Sequence, residues 1–369
     1  MTLRPTNASI TLIHMTVNNR ELNITQPRVC CISDIHVGVH QNSSMWHDIT
    51  LTWGEWLSTE LKSHDISDII ICGDLFHYRD EIAVNTIHVV NELLKIWKDF
   101  NIVILAGNHD SFYKDRVDVN SLSILSDRSN ISIIDTPCMT RVYNRDLMFC
   151  PWGTNSNELE SCDIMFGHFE ITSFKMNHFK TCMDGISSTQ LLKYCDQVIT
   201  GHFHHRDERV YDAGNILYLG NPFQMDFGDA GTKKGYYILD IPECKYEFFE
   251  NVMSPMHHKL KLSSLAEATR IDPPHQSMIS NNIIRLMIDL HIMSDEIEIL
   301  VKELFKYNPS MLTVEHSINF DNFGIGDDSD CDLSGVDIPT AIEEFINMLD
   351  IDNSEQVLKY TLELYNKSK

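Results

Sequence analysis

Ile102-Val103-Ile104-Leu105-Ala106-Gly107-Asn108-His109-Asp110 is the stretch that decides how this chain is read. Five apolar residues in an unbroken run fit a strand buried on both faces. A glycine ends the run, and an amide and an imidazole follow side by side. Those residue types suit a loop at a strand end that holds a metal ion and donates a proton. Taken alone, the stretch also fits an ordinary turn with a polar edge, so its weight depends on recurrence.

It recurs. Val29-Cys30-Cys31-Ile32 runs into Ser33-Asp34-Ile35-His36, and Ile69-Ile70-Ile71-Cys72 into Gly73-Asp74-Leu75-Phe76-His77. Ile164-Met165-Phe166 runs into Gly167-His168, and Val198-Ile199-Thr200 into Gly201-His202-Phe203-His204. Each apolar run ends within a few positions of a residue type that binds metal. Loops at strand ends are where sheet proteins place their chemistry.

The donor set narrows the chemistry. Asp34, His36, Asp74, Asn108, His168, His202 and His204 mix carboxylate, amide and imidazole, which suits manganese or iron better than a calcium cage. Cysteine is absent from these positions, which argues against structural zinc. Seven donors exceed what one ion takes, and they divide between two ions if Asp74 bridges them. Two ions about 3.5–4 Å apart serve phosphate-ester hydrolysis. His109, beside a donor but not needed as one, could protonate the leaving oxygen.

Around these motifs, 369 residues suffice for two to three domains. The composition, 43% hydrophobic and 22% charged, is that of a globular protein. A net charge of −24 argues against broad basic patches for nucleic acid. The ten cysteines are scattered without a C-x-x-C pair, as expected in a reducing compartment. No apolar leader and no run near the ~20 residues of a membrane span is present, so a soluble cytoplasmic protein is expected.

The chain alternates strand and helix to about residue 130 and is strand-rich to about 250, which predicts an α/β sandwich. Trp46, Ile49, Trp53, Trp56 and Leu57 mark one helical stripe, and Ala83, Ile87, Val90, Leu94 and Trp97 a second; both read as core packing. Residues 1–27 form an N-terminal extension with an added strand near Ile10 to Val17. Residues 251–280 read as a linker. A small unit over 281–320 follows, with a strand through Ile284, Leu286, Ile288 and Leu290. Its helix is striped by Ile297, Leu300, Val301, Leu304 and Phe305, and a returning strand runs from Met311 to Ile318. Residues 321–337 hold six acidic and no basic residues and read as a solvated loop. Residues 338–369 hold two helix candidates. Ile342, Phe345, Ile346 and Leu349 stripe the first; Leu358, Thr361, Leu362 and Tyr365 stripe the second.

Asp-x-His, Gly-Asp, Gly-Asn-His-Asp, Gly-His and Gly-His-x-His in this order resemble the calcineurin-like metallophosphoesterases. Within them the chain is most similar to nuclease subunits of the SbcCD type, those of T-even-like bacteriophages in particular. His77 after the second motif, Pro151-Trp152, the spacing of the last two motifs, and the acidic loop with terminal helices carry that closer resemblance. It spans about 28–250 strongly and 280–369 in outline.

The resemblance implies an αββα sandwich over 28–250 with an α/β capping domain over 281–320. It implies that Asp34, His36, Asp74 and His204 hold one manganese and Asp74, Asn108, His168 and His202 the other, with magnesium as the alternative ion. His109 would be the catalytic acid; His77 would stand near the phosphate or orient His109. The family cuts DNA ends as a 3′–5′ exonuclease and single strands as an endonuclease. The partners it implies are DNA and an SMC-like ATPase. The cap would guide DNA, the C-terminal helices would bind the ATPase, and the chain would form a homodimer within a heterotetramer. The acidic balance then predicts weak DNA affinity for the chain alone.

A protein phosphatase is disfavoured, because Gly-Asp-Leu-Phe-His stands where those enzymes carry Gly-Asp-x-x-Asp-Arg-Gly. Another phosphoesterase, or a non-catalytic scaffold, stays as the alternative. His205 reads as a neighbour of the last motif; His40, His47, His64 and His88 read as structural, and His178, His257 and His258 have no ligand-like setting. Tyr113, Lys114 and Arg116, and the pair Lys233-Lys234, could touch a DNA backbone or lie in surface turns.

Overall fold

The continuous apolar runs become the inner strands of two stacked six-stranded sheets. In this computed structural model the described residues are 16–17, 20–22, 24–176, 180–266, 273–290, 292–316, 339, 343, 346 and 354–368. The first sheet has the order Lys245–Glu250, Gly235–Asp240, Arg28–Ile32, Asp68–Ile71, Asn101–Leu105, Ile131–Ile134. Its last four strands are parallel. The second has the order Asp207–Tyr211, Gly214–Tyr218, Cys195–Gly201, Cys162–His168, Arg145–Cys150, Cys138–Val142, and its four middle strands are parallel.

Val29, Cys31, Ile70, Val103 and Leu105 face Leu147, Phe149, Ile164, Phe166 and Ile199 in one core between the sheets. The alternate residues Cys30, Ile32, Ile69 and Ile104 point the other way, against the helices Ser44–Ser63 and Val84–Ile96. The short helix Ser188–Leu192 covers the outer face of the second sheet. The layers are therefore helix, sheet, sheet, helix, a mixed α/β sandwich. Burial on both faces is why these strands read as unbroken apolar runs rather than as alternations.

The first helical stripe is buried as expected at Trp46, Ile49, Trp53 and Leu57. The second is rotated: Thr86, Val89, Val90, Leu93, Leu94 and Trp97 are buried, while Ala83 and Ile87 are only half-buried. The reason is the close approach of the two helices, where Gly54 leaves room for Leu93 and its carbonyl accepts from Trp97 Nε1 at 3.0 Å.

The amino-terminal approach to the first sheet is fixed by Asp68. This buried carboxylate accepts from the backbone N–H of Thr25 (3.0 Å) and Gln26 (2.7 Å) and from Asn101 Nδ2 (2.8 Å). Asp68→Ala orphans those donors and is expected to cost about 2–3 kcal/mol in urea unfolding. A loss under about 0.5 kcal/mol would show that water replaces the carboxylate.

The chain divides into two units, Met1–Ser317 and Ile318–Lys369. Within the first, residues 251–280, expected as a linker, contain the strand His257–Lys261 and the helices Leu262–Ala266 and Pro273–Ile279. That strand is an edge of a three-stranded parallel sheet with Ile283–Ile288 and Met311–His316, and Ser294–Phe305 is its crossover helix. The Pro-rich stretch thus separates elements inside the small domain. Leu304 is buried there, but Phe305 is 53% exposed, and Leu290 lies beyond the strand end.

Near the amino terminus, Thr16–Val17 pairs with Arg20–Glu21; the rest of the expected strand, from Ile10, lies outside the described residues, as do His178 and the acidic stretch 321–337. In the second unit Pro339, Glu343 and Ile346 are helical, and the other stripe residues of that candidate are not among the described ones. The helix Ser354–Ser368 keeps Leu358, Thr361, Leu362 and Tyr365 as its less exposed side.

Candidate metal centre

The parallel strands of both sheets end at one edge, and all five motif loops leave from it. This is where open α/β sheets bind ligands. The register places His168 level with Gly201, and Cys150 level with Gly167. The first two loops are stitched together: the N–H groups of Asp34 and His36 donate to the Gly73 and Asp74 carbonyls, each at 3.0 Å.

Asp34 (φ 55), His36 (φ 49), Asp74 (φ 55) and His202 (φ 96) all sit in the left-handed region. Four non-glycine residues held there in one site mark a strained backbone that its surroundings over-determine, as functional sites do. Gly107 is required by close approach, since a Cβ there would strike the Asp74 carboxylate and backbone N. Gly73 has φ +97, and a Cβ there would strike the His168 ring.

All seven donors expected from the sequence come together. Asp34, His36 and His204 offer ligand atoms that lie within 4.8 Å of one another, and so do Asp74, His168 and His202. His36 Nε2 is 2.9 Å from His204 Nε2, 4.0 Å from Asp34 Oδ1 and 3.6 Å from Asp74 Oδ2. His168 Nε2 is 3.4 Å from Asp74 Oδ2 and 2.9 Å from Asn108 Oδ1, which also lies 2.8 Å from His202 Nδ1. Asp74 therefore reaches both groups.

The donors fit divalent ions. Asp34 and Asp74 are buried, and neither is ion-paired with a lysine or arginine among the described residues. Imidazole nitrogens face one another and the same amide oxygen, an arrangement that needs a cation or a proton between them. The His168 Nδ1–H donates to the Cys72 carbonyl at 2.7 Å, which leaves Nε2 as the donor atom facing Asp74. A carbonyl on the far nitrogen is the usual device for orienting a metal-binding imidazole.

The electrostatics agree. Burial raises Asp34 from its ordinary value, and the charge on Asp74 adds to this against the pull of His168. Burial alone would also raise Asp74, but the His168 cation beside it holds the carboxyl well below its usual range. Burial pushes His36 well below the usual imidazole value and His202 down to about 3. Burial would lower His168 too, yet Asp74 raises it to about 9. Without metal, His168 thus carries a proton against Asp74, and a cation must displace it. Manganese affinity is expected to rise with pH up to about 9 and then level off, read by titration calorimetry on either side of that value. A flat profile would mean that His168 is not displaced.

His109 stands beside the donors. Its N–H donates to Asp74 Oδ1 at 2.8 Å, and its Nδ1–H donates to the His77 carbonyl at 2.6 Å, so Nε2 is the nitrogen left for exchange. The His77 ring stacks on it at 5.4 Å and is lowered to about 4, by burial first and then by His109. His77 Nδ1 lies 3.3 Å from His36 Nδ1.

Two residues at the site do what the sequence reading did not assign to them. Asp110 closes the central motif as a buried clamp, accepting from the N–H groups of Gly107 (3.0 Å), Phe76 (3.0 Å) and Leu75 (3.3 Å). Its place in the motif was visible; its partners in the second motif, 34 and 35 residues away, were not. Lys234, which read as a surface residue, is buried: its Nζ pairs with Asp229 at 2.6 Å and donates to the His204 carbonyl at 2.8 Å. Lys233 is the exposed member of the pair, bound to Glu250.

Arg116 lies over the Tyr113 ring and pairs with Asp118. His40 stacks on Trp46, His47 is buried beside Thr86, His64 packs on Phe249, and His257 lies between Trp46 and Phe227. His88 is exposed.

Residues 27–206 match the calcineurin-like phosphoesterase family. Over 356 residues the chain is 24% identical to exonuclease subunit 1 of Enterobacteria phage T4, covering 92% of this chain and 98% of that protein. Over 229 residues it is 23% identical to an SbcCD nuclease subunit of Staphylococcus epidermidis, covering 51% of this chain and 60% of that protein. No helix among the described residues is long and apolar enough to cross a membrane.

Proposed function

We propose that this chain, whose residues 27–206 match the calcineurin-like phosphoesterase family, is a two-metal DNA nuclease. In this reading it is the nuclease subunit of an SMC-like ATPase complex that processes DNA ends in recombination and repair. It would act as a 3′–5′ exonuclease on duplex ends and as an endonuclease on single strands.

The observation that carries the reading is the convergence of seven donor groups from five strand ends on two adjoining ligand groups that share Asp74. Similarity over nearly the whole length of a phage exonuclease subunit supports the choice of DNA as substrate. Asp34, His36, Asp74 and His204 would hold one ion and Asp74, Asn108, His168 and His202 the other, manganese before magnesium on donor type. Bound divalent ions would supply positive charge to the phosphoryl oxygens and acidify water. His109 would give its Nε2 proton to the leaving oxygen, held in aim by the His77 carbonyl. The His77 ring would keep His109 upright and stay neutral beside it.

The small parallel-sheet domain would guide DNA toward this edge, and the C-terminal helices would dock the ATPase, with two copies of this chain in a heterotetramer. A net charge of −24 leaves little to grip DNA, so the isolated chain is expected to bind it weakly and to depend on the ATPase in the host cytoplasm.

The test is cleavage of an end-labelled linear duplex by the full chain with manganese, with magnesium, and with chelator. Manganese-dependent degradation from the 3′ end supports the reading. Hydrolysis of simple phosphoesters without DNA cleavage, with or without the ATPase, would keep the site and remove DNA as its substrate.

A further inference from the structure

An imidazole that binds metal is normally aimed by a hydrogen bond from its other nitrogen. His168 has one, to the Cys72 carbonyl. His202 does not: among the described residues its ring takes part in one hydrogen-bond contact, from Nδ1 to Asn108, and its Nε2 in none. Its backbone is also strained at φ 96. The ring is held by its faces instead. Trp152 lies against it with ring centroids 4.9 Å apart at 35°, and Phe203 at 4.9 Å and 39°. Phe203 is turned into the core, stacked on Tyr218. Trp152 is the contact on the side of the site, and it also meets the His168 ring edge-on at 6.0 Å.

Trp152 is itself fixed at two points. Its backbone N–H donates to the Ala106 carbonyl, and its indole Nε1–H to the Lys114 carbonyl, both at 2.8 Å. Ala106 immediately precedes Gly107-Asn108, so the Trp152 backbone is tied to the strand end that carries Asn108, and the indole to the carbonyl of Lys114 beyond it. It also follows the strand Arg145–Cys150, whose end is level with Gly167 and so with the loop of His168. The indole packs on both imidazoles that share Asn108 Oδ1, and it offers no donor atom of its own to a cation.

We propose that Trp152 is a positioning residue for the second ion: its anchored indole, packed on His202, keeps that ring in the orientation that lets Nδ1 share a cation with Asn108 and His168. The inference rests on the reading of those residues as cation donors, and not on DNA as the substrate. Removing the indole leaves His202 free to turn about its outer torsion, so the second ion loses a ligand while the first, on Asp34, His36 and His204, keeps its own.

The experiment is manganese titration of the full chain by calorimetry, with electron paramagnetic resonance to detect the coupled pair of ions. Trp152→Leu is expected to weaken one of two manganese sites about tenfold or more, the size of effect seen when a ligand's support is removed, and to abolish the coupled signal. Trp152→Phe, which restores an aromatic face, is expected to recover most of the affinity and the signal. Binding of both ions by Trp152→Leu as in the parent overturns the proposal. So does an equal loss at both sites, or no recovery in Trp152→Phe. A parent chain that binds two ions but leaves DNA intact would sink the nuclease reading alone, because the Trp152 comparison is read from metal binding.

Discussion

Asp74→Ala is expected to leave no measurable cleavage and to remove the coupled pair of manganese ions. Among the described residues Asp74 is the carboxylate that reaches both groups of donors, 3.6 Å from His36 Nε2 and 3.4 Å from His168 Nε2. It also accepts from the His109 backbone, so it sets the position of the proposed acid. Loss of a single preorganised electrostatic donor costs about 10²–10³ in rate; loss of the shared carboxylate removes more than one such group, so a fall of at least about 10³-fold follows. Asp74→Asn separates charge from shape. It keeps an oxygen in place but not the anion that holds the proton on His168, and is expected to bind at most one ion. Cleavage within about tenfold of the parent in either variant would mean that the two ions do not share this group.

His109→Ala is expected to keep both ions and lose about 10²–10⁴ in cleavage rate, the usual contribution of a general acid. It offers a ligand atom within 4.8 Å of those of His36 and His77, but its Nδ1 is spent on the His77 carbonyl, and the ring meets His36 edge-on at 4.7 Å. The test is single-turnover cleavage on two substrates, one with an ordinary sugar leaving group and one with nitrophenol. Nitrophenol leaves without help, so the deficit should shrink on it. An equal deficit on both would assign His109 to phosphate binding instead, and full activity would remove it from the chemistry.

Much of this site was legible along the chain, for a specific reason. A strand buried on both faces must be apolar throughout, so the positions where Val29–Ile32, Ile69–Cys72, Ile102–Ala106, Ile164–Phe166 and Val198–Thr200 stop are visible as edges in composition. Because the strands are parallel, those stops fall on the same side of each sheet, and the residues that follow them are brought together. Glycine at 73 and 107 was visible too, but its purpose was not: each leaves space for a donor side chain that arrives from another loop.

The sequence by itself thus determined the α/β sandwich and the order of its motifs, and it named the seven residues that the fold brings together. The tertiary structure decided the rest. It alone showed which donors face one another, that Asp34, His36, Asp74 and His202 adopt left-handed backbone, and that Asp110 clamps a loop 34 and 35 residues away. It alone buried Lys234 against Asp229, set Trp152 on His202, and drew His257–Lys261 out of an expected linker into a parallel sheet. The physical divide is one of range. Burial of a strand is written in its own residues, because solvent acts on each of them locally. A parallel partner, a buried ion pair or a ring stack is chosen by residues far along the chain, and only the closed fold brings those partners within reach.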